Sequence, residues 1–199
     1  MTAGLSKLDA AIGGGSDDWQ TPPELYDPLN EVFQFNLDAA ASAENHKCLN
    51  YLTEKDDALR LNWGATGYSG GEAGLMAWLN PPYSQLSKQP WVEKVIEEAS
   101  RGVTTVMLTF TKNDTRWYQQ ILDHASHIIL LNKRVSFLRN GKPVGSPTHP
   151  STISIFRPWG TGCNYSRDPR LAALGRVIFL GNQYYQLEAA RPWVSSQRG

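Results

Sequence analysis

Only two cysteines, Cys48 and Cys163, occur in 199 residues, and they form no C-x-x-C pair. That spacing suggests neither a cysteine zinc site nor a dithiol redox centre, and a reduced, cytoplasmic protein is the expectation. Long apolar runs are missing as well. No stretch approaches the ~18 residues that a membrane helix needs, and the N-terminus lacks a charged segment followed by an apolar core, so no signal peptide is expected. Charge of one sign is also missing: 19 Lys and Arg balance 19 Asp and Glu. Such a chain does not coat nucleic acid by bulk charge, and any such contact requires a local basic face. No internal repeat is visible.

What is present is an ordinary hydrophobic fraction of 41% with seven Trp and eight Tyr. The length fits one domain with a real core. Residues 1–17 contain Gly13-Gly14-Gly15-Ser16 and read as a flexible tail. A single domain is expected over 18–190, followed by a loose end from 191. Thr21 as N-cap, Pro22 and Pro23 in the first turn, and Leu25, Leu29, Val32 and Phe33 at helical spacing predict a helix. Phe35 to Asp38 reads as a strand, and Ala39 to Leu52 as a small-residue loop that turns helical. The segment Gly64 to Gly74 has five glycines and reads as a loop. Strands are expected at 75–79, 103–110, 128–131 and 176–180, with helices at 91–100 and 114–125. Segments 135–138 and 151–156 look like strands paired with each other. This alternation predicts an α/β fold with a mixed, mostly parallel sheet and an antiparallel part toward the C-terminus. In such sheets ligands sit at the carboxyl ends of strands, where Asp38 and Asn80 lie.

Asn80-Pro81-Pro82-Tyr83 follows the apolar run Leu75 to Leu79. Two prolines lack N–H groups and hold the chain extended, so the backbone offers only carbonyls. The Asn80 side-chain oxygen and the Pro81 carbonyl can then accept the two protons of one NH₂ group, and Tyr83 offers a flat ring for stacking on a planar substrate. A conjugated amino nitrogen is a poor nucleophile because its lone pair is delocalised. Two acceptors favour a pyramidal nitrogen whose lone pair faces an electrophile, with no strong base needed before attack. Pro82 completes the rigid segment.

These residues are joined by Trp19-Gln20-Thr21-Pro22, by Phe35 to Ala41 (FNLDAAA), and by Asn45-His46-Lys47-Cys48. Asp57-Ala58-Leu59, Val106-Met107-Leu108 and Arg134-Val135-Ser136-Phe137 complete the pattern. In this order they resemble the phage-type Dam-like DNA N6-adenine methyltransferases over about residues 18–158. The resemblance implies a Rossmann-like methyltransferase fold, S-adenosylmethionine as donor, adenine in double-stranded DNA as acceptor, and phage or prophage origin. It implies that Asn80 and Pro81 bind the amino group of a flipped base and that Tyr83 stacks on it. It also implies that Asp38, with Ala39 beside it, meets the donor's methionine amino group, that Asp57 meets the adenosine, and that Trp19, Thr21 and Pro22 close over the methionine end. The usual glycine-rich turn after the first strand is here Ala39-Ala40-Ala41-Ser42; small side chains let the backbone approach the donor instead.

Other readings stand beside these. Asp38 as a helix cap, Trp19 as a core anchor and Asp57 as a solvated charge are the structural alternatives. Lys133, Arg134, Arg139 and Lys142 form a basic cluster around a hairpin, read either as solvated surface or as phosphate contacts. His124 and His127 are read as capping or solvated residues, and no metal is implied. The functional alternatives are methylation of a protein glutamine or an RNA amino group, and a DNA-binding relative without turnover.

Overall fold

The computed structural model describes residues 19–67, 74–83, 88–145, 147–158 and 165–180. Both terminal segments, most of the glycine-rich stretch, Ser146 and Cys163 lie outside these residues.

A six-stranded sheet organises the chain. Its strands are β1 (Leu37–Asp38), β2 (Met76–Leu79), β3 (Thr104–Phe110), β4 (His127–Leu131), β7 (Ser151–Phe156) and β8 (Gly175–Phe179), in the spatial order β1-β2-β3-β7-β4-β8. β1, β2 and β3 pair in parallel, whereas β7 is antiparallel to both β3 and β4, and β8 is antiparallel to β4. A separate two-stranded ribbon joins β5 (Leu138–Arg139) to β6 (Lys142–Pro143).

The central strands are apolar on both faces. Ala77, Leu79, Met107, Ile128 and Phe156 belong to one core, and Trp78, Val106, Leu108, Ile129, Ile153 and Ile155 to the other. Such a sheet needs cover on both sides. Helices α2 (Gln89–Ser100) and α3 (Arg116–His124) supply it on the first face through Trp91, Val92, Val95, Tyr118 and Ile121. Helices α1 (Pro23–Phe33) and α4 (Pro169–Leu174) supply it on the second through Leu25, Tyr26, Leu29, Phe33 and Leu171. Full burial of a side chain such as Leu29 contributes about 1.5–3 kcal/mol.

Several sequence expectations are corrected. Thr21 does not cap α1: Pro22 occupies the cap position, Pro23 opens the helix, and Thr21 Oγ1 makes no hydrogen bond. Residues 39–52 do not become helical. Their amides are taken by strand-like bonds, Ala41 N–H to the Leu52 carbonyl and Leu52 N–H to the Asp38 carbonyl, which outcompete a local helix. β7 does not pair with the 135–138 segment. It inserts between β3 and β4, where its all-buried face pattern is satisfied. His127 is not solvated; it is fully buried in β4, with its ring against Tyr165 and Phe179. No described helix is long and apolar enough to cross a membrane.

Candidate active site

The carboxyl ends of β1 and β2 open onto a cavity of about 690 Å³, within the roughly 300–1,000 Å³ common for ligand pockets. Of the residues singled out from the sequence, Trp19, Thr21, Asp38, Ala39, Asp57, Asn80 and Pro82 share its wall. Pro22, Pro81 and Tyr83 are buried beside it.

Asn80 is held by a specific bond. Its Nδ2 donates to the Trp19 carbonyl at 3.0 Å, while its Oδ1 is buried and has no partner. The amide is thereby oriented with its acceptor left over. Trp19 Nε1 and Thr21 Oγ1, also on the cavity wall, are buried without partners. Each such group costs about 1–3 kcal/mol, so three around one cavity mark a place built for a polar ligand.

Asp38 ends β1 and is 3% exposed. Its carboxylate accepts the Lys47 amide at 2.9 Å and the Ala40 amide at 3.4 Å. Burial outweighs these bonds and lifts its pKa from 3.8 to about 6. The Ala39-to-Ser42 turn has no amide to spare: its N–H groups go to Trp78 O, Asp38 Oδ1, Leu52 O and Asn45 O in turn. Asp57 adopts a left-handed conformation (φ 52°) after the 3₁₀ turn Glu54–Asp56 and pairs with Arg60 at 3.2 Å. Asp56 instead closes a capping box with Thr53, whose hydrogen bonds pull its pKa down.

Tyr83 packs against Phe110 and Phe137, with ring centroids 4.7 and 5.4 Å away, and Lys88 Nζ lies 5.3 Å from its ring. Lys88 also donates to the Pro82 carbonyl. Burial pushes the Tyr83 phenol pKa up, and its hydroxyl has no partner.

The four residues of the basic cluster are placed differently. Arg134 donates to the Pro147 and Thr148 carbonyls and braces a loop. The Arg139 guanidinium lies 4.7 Å from the Trp19 ring. Lys133 and Lys142 are exposed. The ribbon is tied to the cavity through Gln20, whose backbone pairs with Leu138 and whose Oε1 accepts the Gly141 amide at 3.0 Å. Sequence reasoning gave no role to Lys47, Phe110, Phe137 or Lys88. Lys47 and Phe137 lay in quoted motifs, but nothing local reveals which side chains a fold will bring to a cavity. Among the described residues no group of three or more His, Cys, Asp or Glu is placed to hold a metal.

Residues 12–173 match the family described as DNA N-6-adenine-methyltransferase (Dam). The chain belongs to this family. It is similar to the DNA N-6-adenine-methyltransferase of Haemophilus phage HP1 (strain HP1c1), at 28% identity over 148 residues, covering 71% of this chain and 79% of that protein. It is also similar to the enzyme of the same name from Escherichia phage T1, at 32% identity over 159 residues, covering 71% of this chain and 63% of that protein. The matched span of the family includes every strand of the sheet except β8, and takes in Trp19, Asp38, Asn80 and Tyr83 together.

Proposed function

We propose that this chain transfers a methyl group from S-adenosylmethionine to the N6 amino group of adenine in double-stranded DNA, through a single Rossmann-like methyltransferase domain. The observation that carries this reading is the Asn80 amide, locked by the Trp19 carbonyl with its oxygen unpaired at the cavity. The family supports adenine as the acceptor.

The donor supplies a methyl group on a sulfonium, with a neutral thioether as leaving group. The residues fit it: unpartnered donors at Trp19 and Thr21 suit its polar end, and the Asp38 carboxylate suits its ammonium. Asp57 lines the same cavity and suits the adenosine. The acceptor nucleotide must leave the duplex, since its amino group is otherwise paired. Asn80 Oδ1 and the Pro81 carbonyl accept hydrogen bonds from the two amino N–H groups and turn the lone pair toward the methyl. Positioning and exclusion of water then supply most of the rate, and the surplus proton leaves to water. Tyr83 is 7% exposed, so stacking of the base on it requires its aromatic surroundings to open. The exposed Lys142 and Lys133 and the Trp19-stacked Arg139 lie on the segment that we assign to DNA phosphates.

Transfer of labelled methyl from S-adenosylmethionine to unmethylated duplex DNA, followed by nucleoside analysis, tests the reading. Label in N6-methyladenine is expected. Label found only in RNA or in a protein glutamine would overturn it.

A further inference from the structure

Buried Asp38 and half-buried Lys47 stand beside each other on the cavity wall, and among the described residues neither has an ionic partner. Asp38 accepts backbone amides but, among the described residues, meets no cation within salt-bridge distance. Lys47 donates its own backbone amide to the Asp38 carboxylate. Among the described residues its ammonium meets no carboxylate within that distance either, and lies 5.3 Å from the Tyr26 ring. Burial disfavours the charged form of both side chains, raising the pKa of Asp38 and lowering that of Lys47. A ligand bearing both charges would offset both penalties.

The turn beside them cannot bind an anion through its backbone. A glycine-rich turn can present free amides to a carboxylate or phosphate, but here the amides of residues 39–42 are all engaged. A carboxylate entering this end of the cavity must therefore be met by side chains: Trp19 Nε1 and Thr21 Oγ1 can donate to it, but only a side-chain cation balances its charge. The wall holds two, Lys47 and Lys55. Lys55 is exposed, on the 3₁₀ turn next to Asp57, at the part of the wall assigned to adenosine. Lys47 is adjacent to Asp38.

We infer that Lys47 binds the carboxylate of the donor's methionine moiety, so that Asp38 and Lys47 together clamp an amino-acid zwitterion in place of a glycine-rich turn. This rests on the donor reading given above. It differs from a structural role in which Lys47 serves only Tyr26 and the nearby Asp27, whose charge also favours its ammonium.

Calorimetric titration of the full chain with S-adenosylhomocysteine, and with its decarboxylated analogue that keeps the amine, separates the two roles. Lys47→Met should weaken S-adenosylhomocysteine binding about ten- to a hundredfold, the worth of one charge-assisted hydrogen bond, and change binding of the analogue less than about twofold. Lys47→Arg should restore most of the loss. Equal weakening of both ligands, no weakening of either, or selective loss on Lys55→Met instead would each overturn the assignment. A wild-type chain that binds neither ligand would overturn the donor reading itself. A native far-UV spectrum and melting temperature for each variant keep the comparison valid.

Discussion

Asp38 makes donor binding depend on pH in a definite direction. Burial raises its pKa from 3.8 to about 6. At about 1.36 kcal/mol per unit, the free protein prefers the neutral acid by about 3 kcal/mol relative to the unfolded chain. Because the folded value is the higher one, the stability linked to this group is fully present below about pH 3.8 and is lost as pH rises through about 6. The ionised carboxylate at neutral pH is thus a cost carried by the empty fold. An ammonium in the cavity favours the ionised form, so donor binding should pull the pKa back down and release a proton below about pH 6. Affinity for S-adenosylhomocysteine should then be flat above about pH 7 and fall about tenfold by pH 5. Titration calorimetry between pH 5 and 8, in buffers of different ionisation enthalpy, reads both the affinity and the proton release. His46 and Lys47 also favour the charged form of Asp38, so the control is Asp38→Asn. That variant should bind more weakly at pH 7.5 and lose the acid-side decline. A wild-type affinity that stays constant from pH 5 to 7.5, with the fold intact, would refute the pairing of Asp38 with the donor.

Other outcomes follow from the same geometry. Asn80→Ala should lower methyl transfer by about a hundredfold or more while S-adenosylhomocysteine still binds; retained turnover in the labelled-methyl assay would remove Asn80 from the acceptor site. Tyr83→Phe deletes a hydroxyl that makes no hydrogen bond, so thermal stability should hold or rise by about 1 kcal/mol, whereas Tyr83→Ala should cost about 3–5 kcal/mol; a large loss in the Phe variant would show that the hydroxyl is engaged. Lys142→Ala should weaken DNA binding across sequences and reduce the salt slope by about one, without changing donor affinity, as measured by fluorescence anisotropy at several salt concentrations. Arg134→Ala should lower the melting temperature, since its guanidinium holds the Pro147 and Thr148 carbonyls; an unchanged melting temperature would refute that bracing role.

Features governed by nearest neighbours were legible in the chain. Pro22 and Pro23 announce the start of α1, and β-branched apolar runs announce β3 and β7, because φ restriction and side-chain shape act locally. The acceptor segment was legible for the same reason: two prolines after an apolar strand leave carbonyls and one amide whatever surrounds them. The loop at 39–52 was not. Its small residues suit a helix by propensity, yet bonds to Leu52 and Asp38 hold it open, and those partners are set by the fold. The place of β7 was not legible either, since a strand buried on both faces is satisfied by any two apolar neighbours and its sequence does not name them.

The sequence by itself determined the two-faced apolar sheet, the rigid Asn80-Pro81-Pro82-Tyr83 segment and the acid at the end of β1. These follow from residue shape, periodicity and order along the chain. Only the tertiary structure decided the direction of the Asn80 amide, because the bond that fixes it comes from Trp19, 61 residues away. Only it decided that Arg134 braces a loop while Arg139 lies on Trp19, and that buried Asp38 and half-buried Lys47 stand side by side with no ionic partner among the described residues. Desolvation and hydrogen-bond partners are properties of a packed interior, set by groups brought together from across the chain.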